Sequence, residues 1–398
     1  MLRSSSMTRT VFMSARIRCT VSRPGTACKR DVSARCACGP GPRGTEGPMV
    51  FAMLAGSYPA PDVASAVRDQ VAAGLEPVTG GPRTVPHDAA AAAALVSDLE
   101  AGRGSGALAD WSTTAAAAAE AGVAAAATLA GPWSLAMRAF PGSGSAGRRA
   151  ARSLALAEAL GVEAAALVAA GCRLIRIDEP AALAASVDDA SRAAFAAAHR
   201  RLTAGVRSPT SRMPDAGGTT AGPHLMLALT GGDHQGIGAT TLADLPYASF
   251  LFDLIDGPDD WRLIAAIPGD RGIVCGVVHP TVPLGDPPEI LVWAAMYAAS
   301  TGGRGLVRVG VATTGDLDGI GRDAAAAKLR ALGEGARIAT LPREELAASL
   351  DPRALDLRSA ALGRWSPDPR MARPRGGVDS GPDRRRTGRR NDATSEGR

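Results

Sequence analysis

The sequence predicts an α/β fold, a single (β/α)8 TIM barrel with disordered N- and C-terminal extensions. Three observations point there. Between Val50 and Ala336, eight short apolar runs alternate with Ala/Leu/Arg-rich stretches, the pattern of a parallel sheet wrapped by helices. That span is close to the ~250 residues usual for such a barrel. One unit can also be read in full. Ala150 to Ala170 carries Leu154, Leu160, Leu167 and Val168 near helical spacing, with Gly171 where a C′ glycine belongs. Cys172-Arg-Leu-Ile-Arg-Ile-Asp-Glu-Pro180 then alternates like a strand until Pro180, which has no N–H for a ladder. An open doubly wound sheet has the same periodicity and is the alternative architecture.

The predicted strands are 50–56, 75–79, 124–130, 172–178, 224–230, 249–254, 272–279 and 305–311. The stretch 205–222, rich in Gly, Ser, Pro and Thr, reads as an insertion between the fourth and fifth strands. These elements place the barrel at 49–345, with an N-terminal extension at 1–48 and a C-terminal segment at 346–398.

Charge separates the body from its ends. Residues 1–48 hold 9 Lys/Arg against 2 acids and residues 366–398 hold 9 Arg against 5, so the formal +5 of the whole chain leaves the remainder at −6. Both ends mix Arg, Gly, Pro and Ser without periodicity and read as disordered. The first 48 residues read either as a transit-type peptide or as sequence upstream of a start at Met49 or Met53. The Arg384–Arg386 and Arg389–Arg390 cluster has no aromatics beside it, so a solvated tail is expected and no nucleic-acid partner. The apolar runs are too short and alanine-rich for a membrane span.

Four of the six cysteines (Cys19, Cys28, Cys36, Cys38) lie in the first extension without zinc-module spacing, and Cys172 and Cys275 fall on predicted strands as reduced core residues. A cytoplasmic protein fits this usage. Gly142-Ser-Gly-Ser-Ala-Gly147 matches a dinucleotide motif in spacing only. It follows no strand directly, and no acid ends a second strand about twenty residues on, so NAD is not expected.

In a barrel of this kind ligands meet the C-terminal strand ends. Those positions are Gly56, Ser57 and Tyr58; Thr79; Gly131, Pro132 and Trp133; Asp178 and Glu179; Thr230; Asp253; His279; and Thr313 and Thr314. Acids, hydroxyls, an aromatic and one imidazole suit a polar small molecule. Asp178 and His279 are the candidate proton-handling groups, His279 because an imidazole titrates near neutrality. Glu179 has a second reading, in which it faces away and holds a neighbouring loop. His224 has one as a satisfied core histidine, and His234 has one as a loop residue able to reach the mouth.

These residues resemble the C-terminal catalytic barrel of the cobalamin-independent methionine synthases and their shorter archaeal-type relatives. Gly56-Ser57-Tyr58-Pro59 looks like that family's GSFP turn, and Gly74-Leu-Glu-Pro-Val-Thr-Gly-Gly81 resembles its second-strand motif. Gly131-Pro132 is similar to its third-strand GP turn, Ile177-Asp-Glu-Pro-Ala181 to its IDEPA signature, and Gly276-Val-Val-His279-Pro280 to its histidine segment.

The resemblance implies methyl transfer from a methyltetrahydrofolate-type donor to homocysteine, without cobalamin. Gly56 and Ser57 would bind the amino acid, Asp178 and Trp133 would place the pterin-like donor, Glu179 would belong to the same substrate-binding set, and His279 would donate a proton. It also implies a zinc-bound thiolate, which is where this chain departs. The fifth strand offers His224 with Met226 and Ala228 but no cysteine, Asp253 stands in place of a glutamate, and the final strand ends in Thr313-Thr314 without a thiol. Pro82 and Ala184 replace two further family acids. One imidazole and one carboxylate are too few for a tight zinc site. Two readings follow: a methyltransferase-like enzyme, or a metal-free barrel repurposed to bind a small molecule.

Overall fold

The computed structural model describes residues 49–141, 146–206, 222–280 and 286–350. The 1–48 extension, the 142–145 part of the glycine motif, most of the 205–222 insertion and the tail from 351 onward lie outside them.

Among the described residues seven parallel strands form one sheet: β1 (Phe51–Met53), β2 (Ala127–Ala130), β3 (Leu174–Glu179), β4 (His224–Leu229), β5 (Ser249–Asp253), β6 (Gly272–Val278) and β7 (Val309–Thr313). Their order is β1-β7-β6-β5-β4-β3-β2. The predicted second strand is not one. Pro77 sits at its centre and supplies no N–H, so 75–79 is held by isolated bridges instead. Glu76 N donates to Ala52 O (2.9 Å) beside β1, and Val78 exchanges bonds with Ala124 and Ala126 (both 2.9 Å) ahead of β2. Gln70 replaces further ladder bonds through its side-chain amide, which donates to Thr79 O (2.7 Å) and accepts from Thr79 N (3.0 Å). Because one short segment meets both edge strands, the sheet is curled and TIM-barrel-like.

Helices follow the strands as the sequence predicted, and three of their starts are capped by aspartates. Asp62 caps α1 (Val63–Ala72) through Ser65 N, and Asp88 caps α2 (Ala89–Glu100) through Ala91 N. Then come α3 (Ala107–Ala121), α4 (Pro132–Ala139), α5 (Ala146–Ala169) and α6 (Asp189–Thr203), the last capped by Asp188 through Ser191 N. The long predicted helix is α5. The remainder are α7 (Ala239–Ala243), α8 (Trp261–Ala266), α9 (Pro288–Ser300), α10 (Arg322–Ala339) and α11 (Arg343–Ser349). Among the described residues no helix is long and apolar enough to cross a membrane.

Strand parity sorts the core into two layers. Leu225, Leu227, Phe250, Phe252, Ile175 and Ile177 pack outward against the helices. Met53, Ala55, Met226, Ala228, Leu251, Val274 and Ala312 make a separate inner cluster. Cys275 belongs to the outer layer, its thiol against Ala294 O and its pKa pushed up to about 12 by burial. Cys172 is likewise buried and reduced.

Candidate functional site

A cavity of about 280 Å³ opens where the strands end at their C-termini. Its floor is Ala55 and Ala228, and its walls include Gly56, Asp178, Thr230, His279 and Thr314, all among the strand-end positions. Three walls come from elsewhere: Arg83, Thr84 and His87 from the loop before α2, Arg138 from the last turn of α4, and Asp316 from the loop after β7.

Asp178 lies on the inner face two residues after Arg176, which is 1% exposed. The guanidinium donates to both carboxylate oxygens (Nε to Oδ1 2.6 Å, Nη2 to Oδ2 3.0 Å) and also to Leu54 O. Thr84 Oγ1 donates to Oδ2 at 2.8 Å. The carboxylate is thus fixed in orientation by a bidentate fork. Asp256 Oδ2 lies 3.3 Å from His279 Nε2. The His279 contact holds the Asp256 carboxyl below its ordinary range.

The rim joins the turn after β1 to the loop after β7. Asp316 Oδ1 accepts from Ser57 N (2.8 Å), and its other oxygen takes Arg83 and lies 3.2 Å from His87 Nε2. Arg83 also donates to Asp318 (2.6 Å). Gly56 makes this closure possible. Its φ is 81°, and an added Cβ would lie 2.5 Å from the Gly315 carbonyl carbon. Thr313 Oγ1 completes the seam with Ala55, donating to its O (2.6 Å) and accepting from its N (2.8 Å).

Several predicted site residues stand elsewhere. Glu179 follows Asp178 and so points outward, fully buried. Its oxygens accept from Trp133 N (3.1 Å) and Ser134 N (2.7 Å), capping α4, whose own N-cap Gly131 has no side chain to do so. His199 Nε2 lies 3.1 Å from Glu179 Oε1, and His199 Nδ1 contacts Tyr247 OH at 2.6 Å. Trp133 is 2% exposed and packs edge-on against Phe195 at 6.1 Å, so its ring is core and not a stacking platform at the cavity. The backbone N–H of Ser57, a residue expected to bind the amino acid, is already taken by Asp316.

The His224 and Asp253 pair does not converge. His224 begins β4 and its Nε2 meets Ser249 Oγ at 2.7 Å, where β5 begins. Asp253 ends β5 four residues later, ~13 Å along the strand. Its oxygens accept from the backbone N–H of Ile255 (2.9 Å), Asp256 (3.0 Å) and Gly231 (3.2 Å), so it shapes a loop. Burial pushes Asp253 up to about 6 and His224 down to about 4. His234 does not reach the mouth either. It is fully buried, with its ring Nδ1 and its N–H both 2.7 Å from Asp260, whose carboxyl burial pushes up. Among the described residues no three His, Cys, Asp or Glu side chains cluster to hold a metal. The donor set therefore does not fit the zinc that the resemblance implies.

These features define a TIM-barrel-like α/β protein with a polar cavity at the C-terminal strand ends. No protein-family model matches the chain, and no curated protein matches it. Solved structures do. A B12-independent methionine synthase from Shewanella sp. W3-18-1, in complex with selenomethionine, is similar at a TM-score of 0.55 and 15% identity, over 75% of this chain and 99% of that one. A protein from Listeria monocytogenes, described as a candidate vitamin-B12-independent methionine synthase, has a TM-score of 0.48 and 17% identity over 69% and 85% of the two chains. At these identities the likeness concerns the fold.

Proposed function

We propose that the chain is a short-form, methionine-synthase-like barrel, closed by the 75–79 segment, that transfers a methyl group from a methyltetrahydrofolate-type donor to a small thiol such as homocysteine. The observation that carries this reading is the convergence of Asp178, the His279–Asp256 pair and three cationic or imidazole side chains on one cavity. At about 280 Å³ it is near the lower bound of ~300 Å³ for small-molecule sites, a size for an amino acid and not for a whole folate. The donor would then approach from the open side. Without a zinc donor set, the thiol needs a base: the S–H proton passes to His279, with Asp256 stabilising the imidazolium; sulfur then attacks the methyl carbon as its bond to the donor nitrogen breaks, and the imidazolium returns the proton to that nitrogen. Asp178, held by Arg176 and Thr84, would receive the amino group. A cytoplasmic setting with small-molecule partners, and neither nucleic acid nor membrane, belongs to the same reading.

The test is methionine formation from methyltetrahydrofolate and homocysteine by the full chain. Turnover that falls at least tenfold in His279→Ala supports the proposal, and turnover unaffected by that change refutes the assigned base. The separation of His224 from Asp253 favours a second reading, a metal-free binding barrel without chemistry. Tight binding of homocysteine with no methyl transfer from any folate donor would select it.

A further inference from the structure

We infer that Arg138 is the anchor for the ligand's anionic group, a role the Ser57 turn cannot fill in this chain. The inference rests on reading the cavity as the ligand site. Three observations carry it.

First, Ser57 N already donates to Asp316 Oδ1 at 2.8 Å, and Arg83 and His87 hold the same carboxylate in place. An incoming carboxylate would meet the negative charge of Asp316 at that turn. Second, the other charges around the cavity are matched. Asp178 is forked by Arg176, Asp256 faces His279, and Arg83 is shared by Asp316 and Asp318. Arg138 alone among these lining residues makes no hydrogen bond or ion pair with any described residue. Its place in the last turn of α4 compensates part of its charge but gives the guanidinium no acceptor. Third, the Thr314 hydroxyl is buried without a partner on the same cavity, which leaves a donor for the ligand.

A guanidinium with five donors and no acceptor, half-buried beside a concave wall, is best satisfied by a carboxylate taken in bidentate fashion. The ligand class is therefore a small carboxylate, with its amino group towards Asp178 for an amino acid.

The experiment is calorimetric titration of the full chain with L-methionine, L-homocysteine, L-methioninamide and succinate, for the wild type, Arg138→Met and Arg138→Lys. The expected result is that methionine binds at least about tenfold tighter than its amide, the scale of a charge-assisted bond. Arg138→Met should erase that preference without changing the amide, and Arg138→Lys should keep part of it. Thermal melts should change little, since Arg138 makes no hydrogen bond or ion pair with any described residue.

If only succinate binds, and does so through Arg138, the anchor stands and the methyl-transfer reading falls. If methionine is formed with an unchanged KM in Arg138→Met, the anchor falls and the methyl-transfer reading stands. Failure of all three carboxylates to bind the wild type also overturns the anchor.

Discussion

Removing one member of the Arg176–Asp178 pair should cost the fold far more than removing both. Arg176 is 1% exposed and Asp178 14%, and the pair shares two hydrogen bonds, at 2.6 and 3.0 Å. Asp178→Ala leaves the buried guanidinium with only the Leu54 carbonyl. Arg176→Met leaves the carboxylate with only Thr84. Breaking a buried pair on one side costs about 3–5 kcal/mol, because the remaining charge is desolvated without compensation. In a domain of this size that is a fall in Tm of roughly 6–20 °C. Arg176→Met with Asp178→Leu places apolar groups beside Met226 and Ala228 and should lie closer in stability to the wild type than either single variant. Urea unfolding of the wild type, both singles and the double gives the coupling directly. Single variants within 1 kcal/mol of wild type, or additive losses in the double, would refute the claim that the two charges depend on one another.

Gly56→Ala should destabilise by about 1–3 kcal/mol, since φ is 81° and the new methyl would lie 2.5 Å from the Gly315 carbonyl carbon; thermal melts check it. Glu179→Gln should cost about 1–2 kcal/mol by removing a buried charge from the α4 N-terminus while leaving cavity binding intact, and ligand titration beside a denaturation curve separates the two effects. Asp253 and His224 should oppose one another in pH dependence. Asp253, raised to about 6, binds its proton more tightly when folded, so its contribution falls as pH rises from about 4 to 6. His224, lowered to about 4, takes its proton more readily when unfolded, so its contribution grows with pH from about 4 to its ordinary 6.5. Subtracting the Asp253→Asn stability curve from that of the wild type should therefore give a line descending over that window, and the same subtraction for His224→Gln should give an ascending one.

Much of the architecture was legible because parallel strands bury both faces and read as apolar runs. The second strand was misread for a reason present in the sequence, Pro77 at its centre. The site was less legible, although strand parity held part of the answer. Ile175 and Ile177 pack outward, so Arg176 and Asp178 must share the inner face and Glu179 must leave it. Applied to β4 and β5, the same rule puts His224 and Asp253 on one face. What it does not give is their distance apart, which comes from position along the strand. Arg83, Thr84, Arg138 and Asp316 were missed because they lie on loops and a helix end, where no period marks direction.

The stitching of Asp316 to Ser57 spans 259 positions of chain, and its link to Arg83 spans 233. Contacts this distant form late, after the loop-closure entropy has been paid by the strands between them. As the chain emerges during synthesis, the strands up to β6 and the helices packed on them can assemble while the cavity still lacks a wall. Ligand recognition therefore begins only once residue 316 has been made and docked, so the ability to bind reports that the sheet has been completed.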